Sequence, residues 1–375
     1  MIYLDNAATT KPSENAVKAM LSAAELFGNP SSLYRLGLDS EKLIKNSRET
    51  IAKMLGAESK HIYFTSGGTE ANNTALFGEA RGRGKLGKHI ITTSIEHPSV
   101  LETAHQLEKE GFEVTYLGVG ADGRIDINEF EKSLRPDTIL VSVMHVNNET
   151  GVIQPVDRLK SIMRQKSPNA VLHCDCVQSF GKLDVKPKLW GADLISISAH
   201  KIHGFKGSGA LYVNDTKFRP LIYGGEQQNG VRPGTENVGG IASFGAAAAE
   251  CDCDNTKLLK LRTLLKNKLA EKMENIKING SDEYNSGSVL NVSFIGIKAE
   301  ILLHALEARG IYVSTGSACS SHKPQPSHVL TAMGLDNREV GGAVRFSFDN
   351  GITEEDIEFT ANAAAEETAK LRRYR

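Results

Sequence analysis

Ser196-Ile197-Ser198-Ala199-His200-Lys201-Ile202-His203-Gly204 sets a single lysine just past an apolar strand, among hydroxyls and imidazoles. A lysine amine becomes a useful nucleophile toward a carbonyl only when neighbouring cations or partial burial lower its pKa. Lys201 is placed for that, and it reads as a Schiff-base residue. Upstream, the run Ala170-Val171-Leu172-His173-Cys174-Asp175 ends in a carboxylate, and Gln178 follows three positions later. A third segment, Phe64-Thr65-Ser66-Gly67-Gly68-Thr69-Glu70, has the order strand, two glycines, then a hydroxyl opening an Ala-rich helix. Backbone N–H groups and the helix dipole make such a junction attractive to anions.

Taken singly, these residues have ordinary readings: a strand-end Asp is often a helix cap, and a Lys after a strand is usually solvated. Together they describe one ligand. A buried carboxylate opposite a carbonyl-condensing lysine, with a phosphate cradle nearby, suits pyridoxal phosphate, whose pyridine nitrogen must stay protonated to draw electrons.

The surrounding pattern alternates. Strand-like runs at His61–Thr65, His89–Thr93, Glu113–Leu117, Ile139–Met144, Val171–Asp175, Asp193–Ser198 and Ala210–Val213 are separated by helical patterns such as Val100–Glu110 and Ile127–Leu134. This predicts an α/β fold with a mostly parallel sheet and a ligand at the carboxyl ends of its strands. Thr69, His97, Asn148, Asp175 and Lys201 all follow strands in that reading. After about residue 236 a long helical segment runs through Ala246-Ala247-Ala248-Ala249 to Lys272, followed by shorter strands around Val289–Phe294 and Val344–Phe348, which reads as a second domain.

The chain has 375 residues, ample for two domains, with 44 Lys plus Arg against 45 Asp plus Glu and a net charge of −1. Such a balance offers no field for nucleic acid or an anionic membrane. No apolar stretch approaches the ~18 residues of a membrane span, and the start Met1-Ile2-Tyr3-Leu4-Asp5 lacks a basic and an apolar signal region, so a cytoplasmic protein is expected. Five cysteines make an odd count and no disulfide framework. Cys174 and Cys176 flank Asp175, and Cys251-Asp252-Cys253 reads as part of a polar helical stretch; no metal site is expected from these close pairs. Cys319 differs. It lies in Ser314-Thr315-Gly316-Ser317-Ala318-Cys319-Ser320-Ser321-His322-Lys323-Pro324-Gln325-Pro326, a run of small residues that reads as a surface loop, with His322 and Lys323 near enough to favour a thiolate.

Across nearly its whole length the chain resembles the cysteine desulfurases of the class V aminotransferase group, within the fold type I pyridoxal-phosphate enzymes. The resemblance is carried by Leu4-Asp5-Asn6-Ala7-Ala8-Thr9-Thr10, Thr65 to Glu70, Glu96-His97, His145-Val146-Asn147-Asn148-Glu149-Thr150-Gly151, Asp175 to Gln178, Ser198 to Lys201, Arg232-Pro233-Gly234-Thr235 and Gly316-Ser317-Ala318-Cys319. It implies a large cofactor-binding domain over residues 12–256, and a smaller α/β domain from residues 1–11 and 257–375 carrying the loop at about 314–326.

The resemblance also assigns roles. Lys201 would hold the cofactor and shuttle a proton, His97 would stack on its ring and move the substrate thiol proton, and Cys319 would take the sulfur as a persulfide. Gly68, Thr69, Ser198 and His200 would hold the phosphate, Asp175 the pyridine nitrogen and Gln178 the ring oxygen. Arg345, in Ala343-Val344-Arg345-Phe346-Ser347, would clamp the carboxylate of L-cysteine with help from Asn148. Thr235 would reach the phosphate of a neighbouring subunit, which makes a homodimer part of the site. The sulfur would pass to an acceptor protein, an iron–sulfur scaffold or a thiolation enzyme acting on tRNA or a cofactor. Selenocysteine lyase, an ordinary aminotransferase and a catalytically silent partner protein are the alternatives. Tyr34 stands where relatives often have histidine, and Glu226 and Gln228 replace a glycine and a glutamate.

Overall fold

The computed structural model describes residues 1–214, 218–315 and 326–373. Among them twelve strands form three sheets: β1 (Ile2–Tyr3), β2 (Ile62–Thr65), β3 (His89–Thr93), β4 (Glu113–Leu117), β5 (Thr138–Ser142), β6 (Val171–Asp175), β7 (Leu194–Ser198), β8 (Gly209–Val213), β9 (Ile276–Asn279), β10 (Val289–Phe294), β11 (Ile311–Tyr312) and β12 (Ala343–Ser347). The main sheet has seven strands in the order β2-β8-β7-β6-β5-β3-β4. Neighbours from β7 across to β4 are parallel, and β8 alone runs against both of its neighbours. The expected mostly parallel sheet is present, with its strands within a residue or two of the predicted runs.

Every residue of β3, β5, β6, β7 and β8 is buried. Helices cover both faces of a parallel sheet, so its strands read as continuous apolar runs. Alternation still sorts the side chains. Leu172, Cys174, Ile195 and Ile197 pack with Ile44 and Ile51 of the helix Arg35–Leu55 and with Phe244 of the helix Val238–Ala249. Val171 and Leu194 pack on the other face, with Ala71, Ala75 and Leu76 of the helix Gly68–Arg83. By the same period of two, Asp175 and Ser198 project toward that helix.

A polar cluster inside the sheet is paired across three strands. His173 bridges Ser142 Oγ and Ser196 Oγ, each at 2.9 Å, and burial pushes its pKa down to about 3, so it sits there as neutral imidazole.

A second core gathers Leu4, Leu258, Leu265, Leu290, Val292, Leu302, Val344 and Phe346. The three-stranded sheet β12-β10-β9 is antiparallel, and β1 pairs in parallel with β11. The N-terminal residues thus pack with the C-terminal elements, over 300 positions away in sequence.

One expectation is corrected. The helical segment after residue 236 is two helices, Val238–Ala249 and Thr256–Lys272. Cys251-Asp252-Cys253 belongs to the connector between them and not to a helix. Asp252 Oδ1 accepts from the backbone N–H of Asp254, and Asp254 Oδ1 from that of Thr256, while Cys253 takes φ +58°. Local side-chain-to-backbone bonds of this kind compete with helix and favour a turn. Cys174 and Cys176 are fully buried within the first core, as small apolar side chains.

Candidate active site

The strand ends build one cavity of about 380 Å³, lined by residues that include Gly68, Thr69, His97, Asn148, Asp175, Gln178, Ser198, His200, Lys201 and Arg345. All ten are residues singled out from the sequence. Six of the seven strands point their carboxyl ends to this edge, where α/β sheets bind ligands. A larger surface cavity, about 700 Å³, opens instead beside Arg48, Lys60 and Gln228, away from the strand ends.

Asp175 terminates β6 and is 5% exposed. Its Oδ1 accepts the Val177 backbone N–H at 2.9 Å, and its Oδ2 accepts Asn72 Nδ2 at 2.7 Å. Asn72 also donates to Ser99 Oγ at 2.9 Å, and Ser99 Oγ lies 2.8 Å from His97 Nδ1. A hydrogen-bonded chain therefore runs from Asp175 to His97. His97 is also the N-cap of the helix Pro98–Lys109, its Nδ1 accepting the Ser99 backbone N–H at 3.1 Å. An N–H can only donate, so Nδ1 is unprotonated and the ring hydrogen of the neutral form sits on Nε2. Burial lowers the His97 pKa; Lys201 and His328 lower it further, and Asp175 opposes them.

Lys201 follows β7, and its Nζ donates to the carbonyl oxygens of Ala7 and Ala8 at 2.5 and 2.7 Å. Gln178 Nε2 donates to the same Ala7 oxygen at 2.9 Å. His200 Nδ1 lies 3.2 Å from Thr9 Oγ1, and burial, aided by Lys201, pushes its pKa down to about 4. Residues Asp5–Thr9 thus form a strap over the site.

Arg345, 3% exposed on β12, pairs with Asp5 through Nη2 and Oδ1 at 2.7 Å, and its Nη1 donates to the Asn148 carbonyl at 3.1 Å. Its Nε is buried with no hydrogen-bond partner among the described residues.

Pyridoxal phosphate fits these residues. Among the described residues Ser198 Oγ is buried with no hydrogen-bond partner, a hydroxyl suited to a phosphate oxygen. Gly68 opens its helix so closely to the segment after β6 that a Cβ there would come within 2.6 Å of Val177 Cγ2. The helix N-terminus presents N–H groups to an anion, and Asp175 offers an acceptor for a protonated ring nitrogen.

One expected site residue among those described does not line the cavity. Thr235 is exposed and does not line it; nearby Arg232 pairs with Glu70 at 2.9 Å, tying that segment to the first turn of the helix Gly68–Arg83. Cys319 lies outside the described residues. Tyr34 is 60% exposed at the start of the helix Arg35–Leu55. Gln228 is buried at φ +49°, accepting from Arg48 Nη2 and the Phe64 N–H while donating to Glu236.

Sequence reasoning missed Asn72, Ser99 and the use of Asp5 as the Arg345 partner. Asn72 stands three residues after Thr69, on the same helix face, which is the signal that could have found it.

The class of protein is settled by comparison as well as by fold. The family model for class-V aminotransferases matches residues 2–359, and the chain belongs to that family. It is a pyridoxal-phosphate enzyme. A relative from Dictyoglomus turgidum named cysteine desulfurase IscS is 43% identical, aligned over 99% of this chain and 95% of its own length. One of the same name from Methanosarcina thermophila is 44% identical over 99% of this chain and 93% of its own length. Among solved structures, a NifS-like protein superposes with a TM-score of 0.92 at 37% identity, covering 99% of this chain and 100% of the other. A NifS-like protein from Rickettsia africae gives 0.86 at 31%, covering 99% and 100%.

Proposed function

We propose that this chain is a cysteine desulfurase that converts L-cysteine to L-alanine, leaves a persulfide on Cys319 and passes that sulfur to an acceptor protein. The observation that carries the reading is the meeting of Lys201, Asp175, His97 and Arg345 on one cavity at the strand ends. The relatives' names agree with it.

In this reading Arg345 and Asn148 bind and orient the substrate carboxylate, since a guanidinium fork matches a carboxylate's two oxygens. The first turn of the helix at Gly68 and Thr69, with Ser198 and His200, holds the phosphate. Asp175 stabilises positive charge on the ring nitrogen and Gln178 positions the ring oxygen. Bound there, pyridoxal phosphate supplies an electron sink for the pair released at the substrate Cα. Lys201 takes and returns the proton at that carbon. His97, neutral with its hydrogen on Nε2, needs a change of tautomer or ring position to accept the thiol proton, and the Ser99 contacts set the cost of either.

At the sulfur, the Cys319 thiolate forms an S–S bond as the substrate's Cβ–S bond breaks. The electron pair of that bond stays with the carbon portion, which is protonated and leaves as alanine. No external oxidant is needed. A persulfide is an exposed electrophile, so an acceptor must collect it.

The same reading takes the chain as two domains, residues 12–256 against 1–11 with 257–375, and as a cytoplasmic homodimer in which Thr235 serves the partner's phosphate. Iron–sulfur assembly and thiolation of tRNA or a cofactor are the destinations that fit the sulfur. Among the described residues, no helix is long and apolar enough to cross a membrane.

The test is to incubate the purified yellow protein with L-cysteine and a reductant, measuring alanine and sulfide together in wild type and Cys319→Ser. Equal amounts that vanish in the variant are expected. Full sulfide production by the variant would remove Cys319 from the mechanism.

A further inference from the structure

Arg345 is held by two acceptors from two directions. Its Nη2 donates to Asp5 Oδ1 at 2.7 Å and its Nη1 to the Asn148 carbonyl at 3.1 Å. A planar guanidinium bonded through both terminal nitrogens to separate elements cannot turn about its long axis without losing one of them. Its Nε–H is buried and has no partner among the described residues.

Asp5 is itself fixed. Its backbone lies against β12 at Ser347, whose N–H donates to the Leu4 carbonyl at 2.7 Å and whose Oγ accepts from the Ala7 N–H at 2.9 Å. The Asp5 carbonyl in turn accepts from the Ala8 N–H at 3.0 Å. Arg345 lines the cavity at the strand ends and Asp5 does not, so the carboxylate acts on the guanidinium from outside the substrate's space.

We propose that Asp5 is a positioning residue for substrate recognition: it holds the Arg345 guanidinium plane so that its remaining N–H groups receive the α-carboxylate of the amino-acid substrate. This rests on the reading of Arg345 as the carboxylate clamp. Asp5 touches no reacting atom, so its loss weakens capture of the carboxylate and leaves the chemistry of bound substrate intact.

The discriminating probe is cysteamine, which has the thiol and amine of cysteine and no carboxylate. In the holoenzyme, Asp5→Ala is expected to raise KM for L-cysteine about tenfold with kcat changed by less than about twofold, while the inhibition constant of cysteamine stays at the wild-type value. Asp5→Asn keeps an oxygen acceptor for Nη2 and recovers most of the affinity. Cofactor absorbance identical to wild type marks both variants as folded.

A lowered KM in Asp5→Ala would mean that Asp5 competes with substrate, and overturns the proposal. So does an unchanged KM, or a parallel loss of cysteamine binding, which is the signature of general packing. Arg345→Lys separates the two layers of inference. If it leaves KM unchanged, the clamp itself fails and the proposal with it; if it raises KM while Asp5→Ala does not, only the role of Asp5 fails.

Discussion

Asn72 Nδ2 donates to Asp175 Oδ2 at 2.7 Å, and through Ser99 the same amide connects the carboxylate at the end of β6 to the imidazole of His97. The contact joins the helix behind the phosphate cradle to the strand that carries the ring-binding acid. Asn72 is 1% exposed and lines the cavity at the strand ends. Asn72→Ala leaves Asp175 Oδ2 and Ser99 Oγ each short of a donor, a loss of about 1–3 kcal/mol when the group stays buried. The expected outcome is weaker cofactor retention, read as faster loss of the yellow absorbance on dialysis. Asn72→Asp is expected to lose it faster still, because two carboxylates would then face each other.

Gly68 gives a second test on the same cradle. A Cβ at that position would come within 2.6 Å of Val177 Cγ2 and 3.7 Å of Ser198 Cβ. Val177 is β-branched and stiff, and its N–H is committed to Asp175, so it cannot simply swing away. Gly68→Ala is expected to cut cofactor affinity by on the order of tenfold, the scale of a 1–2 kcal/mol overpacking strain. Adding Val177→Ala removes the colliding methyl and should restore much of the affinity, measured by titrating the apoprotein with the cofactor. A double variant no better than the single one would place the defect elsewhere.

What was legible in the sequence follows from how each feature is encoded. The strands of the main sheet are buried on both faces, so they appear as short apolar runs, and the residues following them fall together once the sheet is parallel. That is why Thr69, His97, Asn148, Asp175 and Lys201 could be gathered before any geometry was known. The break between Ala249 and Thr256 was not legible, because an Ala-rich run and a Leu-rich run both satisfy a helical period and the stop lies in two Asp-to-backbone bonds. The Asp5–Arg345 pair spans 340 positions. No local pattern encodes a partner that far away; the short N-terminal strand and the fold bring them together. Asn72 was hidden for a third reason: a polar residue inside a helix has no periodic signature, and only the carboxylate it meets reveals its use.

Glu96, beside His97, offers a pH-dependent test whose sign is opposite to that of the buried histidines. It is fully buried, with Oε1 accepting from Thr93 Oγ1 at 2.7 Å and the Met144 N–H at 2.9 Å, and with no partner for Oε2 among the described residues. Burial raises its pKa to about 8, and Asp175 adds to the rise. The unfolded chain, with an ordinary carboxylate, ionises from 4.5 upward. Between those values the folded state binds more protons, so the contribution of Glu96 to stability is present below 4.5 and is lost as pH rises toward 8. Glu96→Gln keeps an Oε1 acceptor for Thr93 and Met144 and removes the titration. Relative to wild type, the variant is expected to gain stability between pH 5 and pH 8, by roughly 3–4 kcal/mol in urea unfolding. A stability difference that is flat across that range would show that Glu96 does not hold its proton in the folded protein. The histidines act the other way. His173 and His145, pushed down to about 3 and about 4 by burial, make wild type less stable as pH falls below 6.5, and that acid limb should persist unchanged in Glu96→Gln.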